Sequence, residues 1–263
     1  MKFAFNIMVF LVCWVCHNSQ AEPTPNIVNA LHMEFVYIPP GSFWMGSAAK
    51  ERGHEADELH HQVEISNGFY IQTTEVTRKQ WKALMEGDPS SFPACGDSCP
   101  VDRLKPAWVD KFIEKLNARD GTYLYRLPTE AEWEYVAKAG SNTAFSTGSC
   151  LGESNAAYDA SMPFGFCRQG AKHQGPSPVA SFKPNPWGVY DMHGNVWEMC
   201  SDWYEEYDLA NVRDPAGPAQ GDYRVLRGSS WKFPEAFARS ANRFKNIRDI
   251  AGFRLVMLKK QPE

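Results

Sequence analysis

The stretch Asn185-Pro186-Trp187-Gly188-Val189-Tyr190-Asp191-Met192-His193-Gly194-Asn195-Val196-Trp197-Glu198-Met199-Cys200-Ser201-Asp202-Trp203-Tyr204 is the most informative part of this chain. It holds three Trp, two Tyr, two Gly and two Asn, set among Asp191, Glu198 and Asp202. Its apolar residues keep neither the spacing of a helix face nor the alternation of a half-buried strand. Glycines permit tight backbone turns, aromatic rings pack beneath, and polar side chains are left pointing at something. The expectation is an ordered loop.

Towards the N-terminus, Lys2 precedes an apolar run from Phe3 to Cys16, then the small residues Ser19 and Ala21. This pattern describes a secretory signal peptide over residues 1–21. The apolar run is too short to span a bilayer. No later segment is long and apolar enough to do so, so a periplasmic or secreted protein with no membrane span after cleavage is expected. Residues 22–32, with Pro23 and Pro25, read as a loose leader, and residues 33–260 as one domain. The formal charge of −4 gives no electrostatic case for nucleic acid. Nine Trp suggest a core built from aromatics and loops.

Cleavage after Ala21 leaves Cys95, Cys99, Cys150, Cys167 and Cys200. In an oxidising compartment disulfides persist. Cys95-Gly96-Asp97-Ser98-Cys99 is a tight polar loop that a disulfide could close, and Cys150 and Cys167 flank a second loop. Cys200 is then odd. It is expected as a buried thiol beneath Trp197 and Trp203, the other reading being a reactive nucleophile. No paired C-x-x-C units indicate zinc.

Regular elements are few. Phe35 to Ile38 reads as a strand ended by Pro39-Pro40-Gly41, and Val63 to Ile71 as a strand pair around Asn67-Gly68. Thr77 with Gln80, and Thr129 with Glu132, are capping-box signatures that start two helices. A third helix covers Ala107 to Asn117 with the stripe Val109, Phe112, Ile113 and Leu116. After Gly140 the chain is rich in Gly, Pro, Asn and Ser up to Tyr223, and Phe253 to Leu258 reads as a closing strand. The fold class expected is α+β with much irregular structure.

Five blocks, in order, resemble the formylglycine-generating-enzyme (sulfatase-modifying factor) family: Phe35 to Ser47, His61 to Trp81, Tyr125 to Gly140 (YRLPTEAEWEYVAKAG), Asn185 to Tyr204, and Arg224 to Leu255 (RVLRGSSW…RSANR…GFRL). They span nearly the whole chain after the signal peptide. The resemblance implies a formylglycine-generating-enzyme variant of the C-type lectin fold. It also implies a structural calcium at Gly194, Asn195, Val196 and Glu198, since calcium takes oxygens from such a loop, and a second calcium site beginning at Asn155 and Ala156. Family enzymes that make formylglycine bind copper(I) through two Cys after a G-G-S-Y segment. Here Gly228-Ser229-Ser230-Trp231 takes that place, and Phe233 and Ala238 fall where the thiolates belong. Copper(I) needs soft ligands, so no copper is expected.

Other branches share the fold without that Cys pair. One acts as an oxidase in pyoverdine siderophore maturation, and this chain is similar to it in export. Another, the variable proteins of diversity-generating retroelements, binds ligands without chemistry and ends in a similar block. The expected function is an oxidase-like or accessory enzyme acting on a peptide or peptide-derived metabolite, the alternative being a non-catalytic ligand- or protein-binding module. The segment Ser230, Trp231, Lys232, Phe233, Glu235, Phe237 and Arg239 is the candidate binding face. Arg239, Arg243 and Arg254 could grip a carboxylate or phosphate, but pinning loops is the expected role for each. His54, Glu55, Asp57, Glu58, His60 and His61 look like a metal cluster, but the expected reading is that the acids make a solvated turn and that His61 takes the place of a His the family has before its second strand. No catalytic acid or base is identifiable.

Overall fold

The computed structural model describes residues 25–210, 212–246 and 250–260. The expected signal peptide lies outside the described residues. Strands β1 (Ile27–Val28), β2 (Glu34–Ile38), β5 (Phe69–Gln72), β6 (Tyr123–Arg126) and β10 (Val256–Lys259) form an antiparallel sheet in the order β1-β2-β5-β10-β6. The leader is therefore held from Ile27 onward, because Ile27 pairs with Phe35 and Leu31 packs on the core. The closing strand sits between β5 and β6, with Val256 opposite both Ile71 and Arg126.

The expected strand pair around Asn67-Gly68 is not a hairpin. β4 (His61–Ile65) pairs instead with β3 (Gly41–Met45), a strand the sequence did not signal, in a separate two-stranded sheet, while β5 enters the five-stranded one. A two-residue type I′ turn needs positive φ at both central residues, and neither Asn67 nor Gly68 has it. Gly68 serves a close approach: a Cβ there would collide with the Tyr37 ring.

The three expected helices form. α1 (Arg78–Lys82) and α3 (Glu130–Lys138) start at Thr77 and Thr129 with complete capping boxes, and α3 closes at Ala139 and Gly140, both at positive φ. α2 (Pro106–Arg119) buries Val109, Phe112 and Leu116. The Phe112 ring stacks on Trp81 at 5.4 Å and meets the edge of Phe253. Burying one such ring contributes roughly 1.5–3 kcal/mol. Among the described residues no helix is long and apolar enough to cross a membrane.

The stretch that reads as one ordered loop divides. Residues 185–196 are irregular, but Trp197–Trp203 forms β7, between β8 (Arg224–Arg227) and the short parallel β9 (Ala251–Gly252). Both faces of β7 are covered from Trp197 to Cys200, so no polar alternation marks it as a strand. Between α3 and β7 the chain has neither helix nor strand. It is held instead by the Cys150–Cys167 disulfide and by hydrogen bonds such as Asn195 N–H to the Ala157 carbonyl (2.8 Å) and Asp159 N–H to the Phe233 carbonyl (2.8 Å). Cys95–Cys99 closes the smaller loop.

Candidate functional site

After β8 the backbone turns at Gly228 and Ser229, both at positive φ. Trp231 N–H then bonds the Asn195 carbonyl at 3.0 Å, which ties the C-terminal segment to the Gly194-Asn195 turn. Pro234 leads into a single 3₁₀ turn, Glu235–Ala238. The segment is less open than its alternation of polar and aromatic residues suggests. Ser230, Trp231, Glu235 and Arg239 are buried, at 0, 9, 1 and 1% exposure. The reason is the long irregular segment, whose own core of Phe145, Leu151, Tyr158 and Phe164 encloses Ala238. Glu235 is fixed there by the Leu151 N–H (2.6 Å), and Trp231 packs edge-on against Phe92.

What remains accessible is Lys232, exposed, with Phe233 and Phe237 half-buried. Phe233 packs edge-to-face on Trp197 (5.5 Å) and Phe237 (5.4 Å), and Phe244 stacks on Trp197 at 4.8 Å. The two positions that the family resemblance sets aside for thiolates thus hold an aromatic ring in an aromatic cluster and a buried methyl group.

Arg239 leaves the list of candidate ligand contacts. Glu58 grips both its terminal nitrogens, and Glu51 and the Gly53 and Ala236 carbonyls take the rest. Glu58 itself is fully buried, so the acidic turn before β4 is not simply solvated. Arg243 pairs with Glu130 (2.7 and 2.9 Å) and Arg227 with Glu134. Arg254 pairs with Glu198 through Nε and Nη2, both at 2.6 Å. All four guanidiniums lie inside the molecule: Arg227 and Arg243 pin their loops to helix α3, Arg254 pins its own to strand β7, and Arg239 holds the turn before β4.

The expected calcium residues come together at one turn, where the side chains of Asn155, Asn195 and Glu198 are held by other protein groups. Gly194 adopts φ +105° directly against the Ala157 backbone, where a Cβ would collide. This brings the Asn155–Ala157 stretch onto the Gly194–Val196 turn. Asn155 uses its amide on the Leu151 carbonyl (2.5 Å). The Asn195 side chain is consumed: Nδ2 donates to Glu75 (3.0 Å) and Oδ1 accepts Ser177 N–H (2.9 Å). Glu198 is consumed by Arg254 and by Trp133 Nε1 (2.8 Å).

Two further carboxyl groups stand close by. Glu75 Oε2 and Asp191 Oδ1 are buried and accept no hydrogen bond from any other described residue. Burial first, then the Asp191 and Glu198 charges, push the Glu75 carboxyl well above its ordinary range, and burial raises Asp191. Three carboxyl groups crowd around one guanidinium, Arg254, and the raised Glu75 carboxyl shares a hydrogen bond with Asp191. Negative charge in such a cluster is expensive unless it is protonated or met by a cation. The donors are all oxygen, the type a hard divalent ion prefers, and among the described residues no three side-chain ligands converge there.

Acid–base candidates are few. Cys200 is fully buried, and burial followed by Asp202 and Glu130 pushes its thiol well above the usual range, away from thiolate. His193 is enclosed, with Nδ1 bonded to the Ala238 carbonyl (2.8 Å) and Nε2 accepting Ser146 N–H (3.0 Å). Burial lowers its pKa to about 4, so at neutral pH it is an uncharged packing group.

Comparison with known proteins agrees with this architecture. Residues 19–259 match the sulfatase-modifying factor enzyme 1-like domain. The chain is 34% identical to the formylglycine-generating enzyme of Mus musculus, over 84% of this chain and 73% of that protein. It is 30% identical to the serine/threonine-protein kinase pkn1 of Chlamydia caviae over 89% of this chain, which spans only 39% of that protein. The structure of PvdO from Pseudomonas aeruginosa superposes with a TM-score of 0.72 at 28% identity, covering 90% of this chain and 98% of that one. A capped α3 in the YRLPTEAEWEY block, a buried Glu198–Arg254 pair and near full-length agreement lead to one conclusion: this chain belongs to the formylglycine-generating-enzyme (sulfatase-modifying factor) family.

Proposed function

We propose that this chain is an exported accessory domain that binds a peptide or peptide-derived ligand against Lys232, Phe233 and Phe237, and that it does not make formylglycine by the copper route. The observation carrying this is the pair of positions Phe233 and Ala238. An aromatic ring packed on Trp197 and a fully buried methyl group offer no soft ligand there. Of the two expected functions, the binding module is the one this geometry favours. The two disulfides support an oxidising compartment, periplasmic or secreted. The mixed sheet with its long irregular segment supports the C-type lectin variant of the fold.

Calcium is the cation we assign to the buried cluster, held by Asp191 and Glu75 beside the Gly194–Val196 turn, with Glu198 acting through Arg254 rather than as a ligand. Its contribution would be structural: it would neutralise the cluster and lock the turn that supports Trp231.

A peptide carrying a sulfatase-type cysteine motif, incubated with the mature protein and copper(I), should show no aldehyde by mass spectrometry. Peptides selected from a random library on the wild type should lose affinity for Phe233→Ser and Phe237→Ser. Truncating an aromatic anchor at a desolvated contact typically costs about 2 kcal/mol or more. Aldehyde formation would refute the first statement, and undiminished binding to both variants the second.

A further inference from the structure

The geometry points to a second site, built from different residues, that takes a compact organic cation: an alkylammonium or guanidinium group. A cavity of about 220 Å³ lies between the N-terminus of α3 and the segment 203–218. Its walls include Met45, Ala131, Trp203 and Pro218, apolar surfaces suited to a methylene stem. Drug-sized ligands fill roughly 300–1,000 Å³, so this space fits one small group.

The charge around the cavity is one-sided. Glu130 and Arg243 line it but neutralise each other through two hydrogen bonds, and Arg243 is further committed to the Asp57 and Glu205 carbonyls. His61 lines it with Nδ1 held by the Leu59 carbonyl at 2.7 Å. The remaining charged lining residues, Asp202, Glu205, Glu206 and Asp208, are all acidic, and no lysine is among the described lining residues.

Asp202 is the anchor. It is 4% exposed. Its Oδ2 accepts the Glu130 N–H at 2.8 Å and the Ser201 hydroxyl at 3.0 Å, which caps α3. Its Oδ1 accepts no hydrogen bond from any described residue and lies at the cavity wall beside Gly217, where a Cβ would stand 2.9 Å away. A half-used buried carboxylate asks for a donor. Burial first, then the Glu130 charge, raises its pKa to about 7. A bare divalent metal fits less well: it wants several converging oxygens, and no three acidic or histidine ligands meet here among the described residues. An ammonium needs one buried carboxylate and a negative rim.

Two sources share this chemistry, a free amine and a lysine or arginine side chain of a peptide. Titration calorimetry on the mature protein separates them, using cadaverine, N-acetyl-lysine methylamide and methylguanidine, with N-acetylglutamate as the charge control. At least one cation should bind and the glutamate derivative should not. Preference for cadaverine assigns a free amine, and preference for the lysine amide a peptide. Asp202→Asn should weaken binding by about tenfold or more, the loss of one charge-assisted contact, while melting no lower than wild type at pH 8. Glu206→Gln/Asp208→Asn, on the exposed rim, should weaken it by a few fold and guards against misfolding of the first variant. Absence of heat with all three cations overturns the proposal, as does wild-type affinity in both variants or full displacement of the amine by calcium. The two sites share no lining residue, so failure here leaves the Phe233–Phe237 proposal standing.

Discussion

Asp202 and Arg254 show at single-residue scale how this protein manages buried charge. The Asp202 pKa is raised in the fold to about 7, above the value of about 3.9 in an unfolded chain. Between those values the unfolded chain ionises while the folded one does not, so this group's contribution to stability falls as pH rises through that window. Thermal melts of wild type and Asp202→Asn should therefore converge near pH 4 and separate towards pH 8, with the variant on top by up to a few kcal/mol. A variant that is equally stable, or less stable, at pH 8 would contradict this assignment. Arg254 is the opposite case, a charge fully met by Glu198. Removing one member of a buried pair typically costs about 3–5 kcal/mol, so Arg254→Met should lose that much in urea denaturation. Arg254→Met/Glu198→Met should recover part of it, because the stranded carboxylate is gone. A fully additive double variant would argue against coupling.

At the scale of elements, α3 is anchored at both ends and covered on nearly every side. Its box is reciprocal: Thr129 accepts Glu132 N–H at 3.1 Å while Glu132 accepts Thr129 N–H at 2.8 Å. Thr129→Ala should cost about 1 kcal/mol, seen as a lower denaturation midpoint with an unchanged slope. The irregular segment depends on cross-links instead. Cys150 and Cys167 are 17 residues apart and Cys95 and Cys99 only 4. Loop-closure entropy gives about 3 kcal/mol for the longer loop and about 2 kcal/mol for the shorter. Cys150→Ala/Cys167→Ala should thus destabilise more than Cys95→Ala/Cys99→Ala. The reverse order would mean that the polar loop, not the long segment, limits stability. Cys200, buried beside β8, should alkylate slowly until the protein unfolds.

For the whole molecule, the decisive question is how the Glu75–Asp191–Glu198 cluster beneath the Gly194–Val196 turn is neutralised. A cation bound only by the folded state stabilises it by about 2.7 kcal/mol at a hundredfold excess over Kd. Melting temperature should rise with calcium and fall with chelator. Asp191→Asn and Glu75→Gln should abolish that response while leaving the metal-free protein no less stable than wild type, since each removes a carboxyl from a crowded buried cluster. A full calcium response in both variants would remove these residues from the site. Identical wild-type melts with calcium and chelator would leave a shared proton as the way the cluster is neutralised.

Local signals were legible in the sequence where the chemistry is local. Thr77–Gln80 and Thr129–Glu132 start helices because a cap is satisfied within four residues, and Val109 to Leu116 shows its face because a helix repeats its contacts. The Cys95 and Cys150 loops were readable from spacing, and the ordered blocks from Phe35 to Leu255 were enough to suggest the family. What the tertiary structure alone decided involves partners far apart in the chain. The Asn67-Gly68 turn carries the chain from one sheet into another, and Gly68 is needed there because the Tyr37 ring occupies the space beside it. Trp197 to Trp203 is a strand because both its faces are covered, which erases the alternation that would announce one. Glu198 is paired with Arg254, 56 residues later, and the Asn195 amide meets Glu75, 120 residues before it. A side chain's chemistry is written at its own position, but whether its charge is met is settled only when the fold brings its neighbours to it.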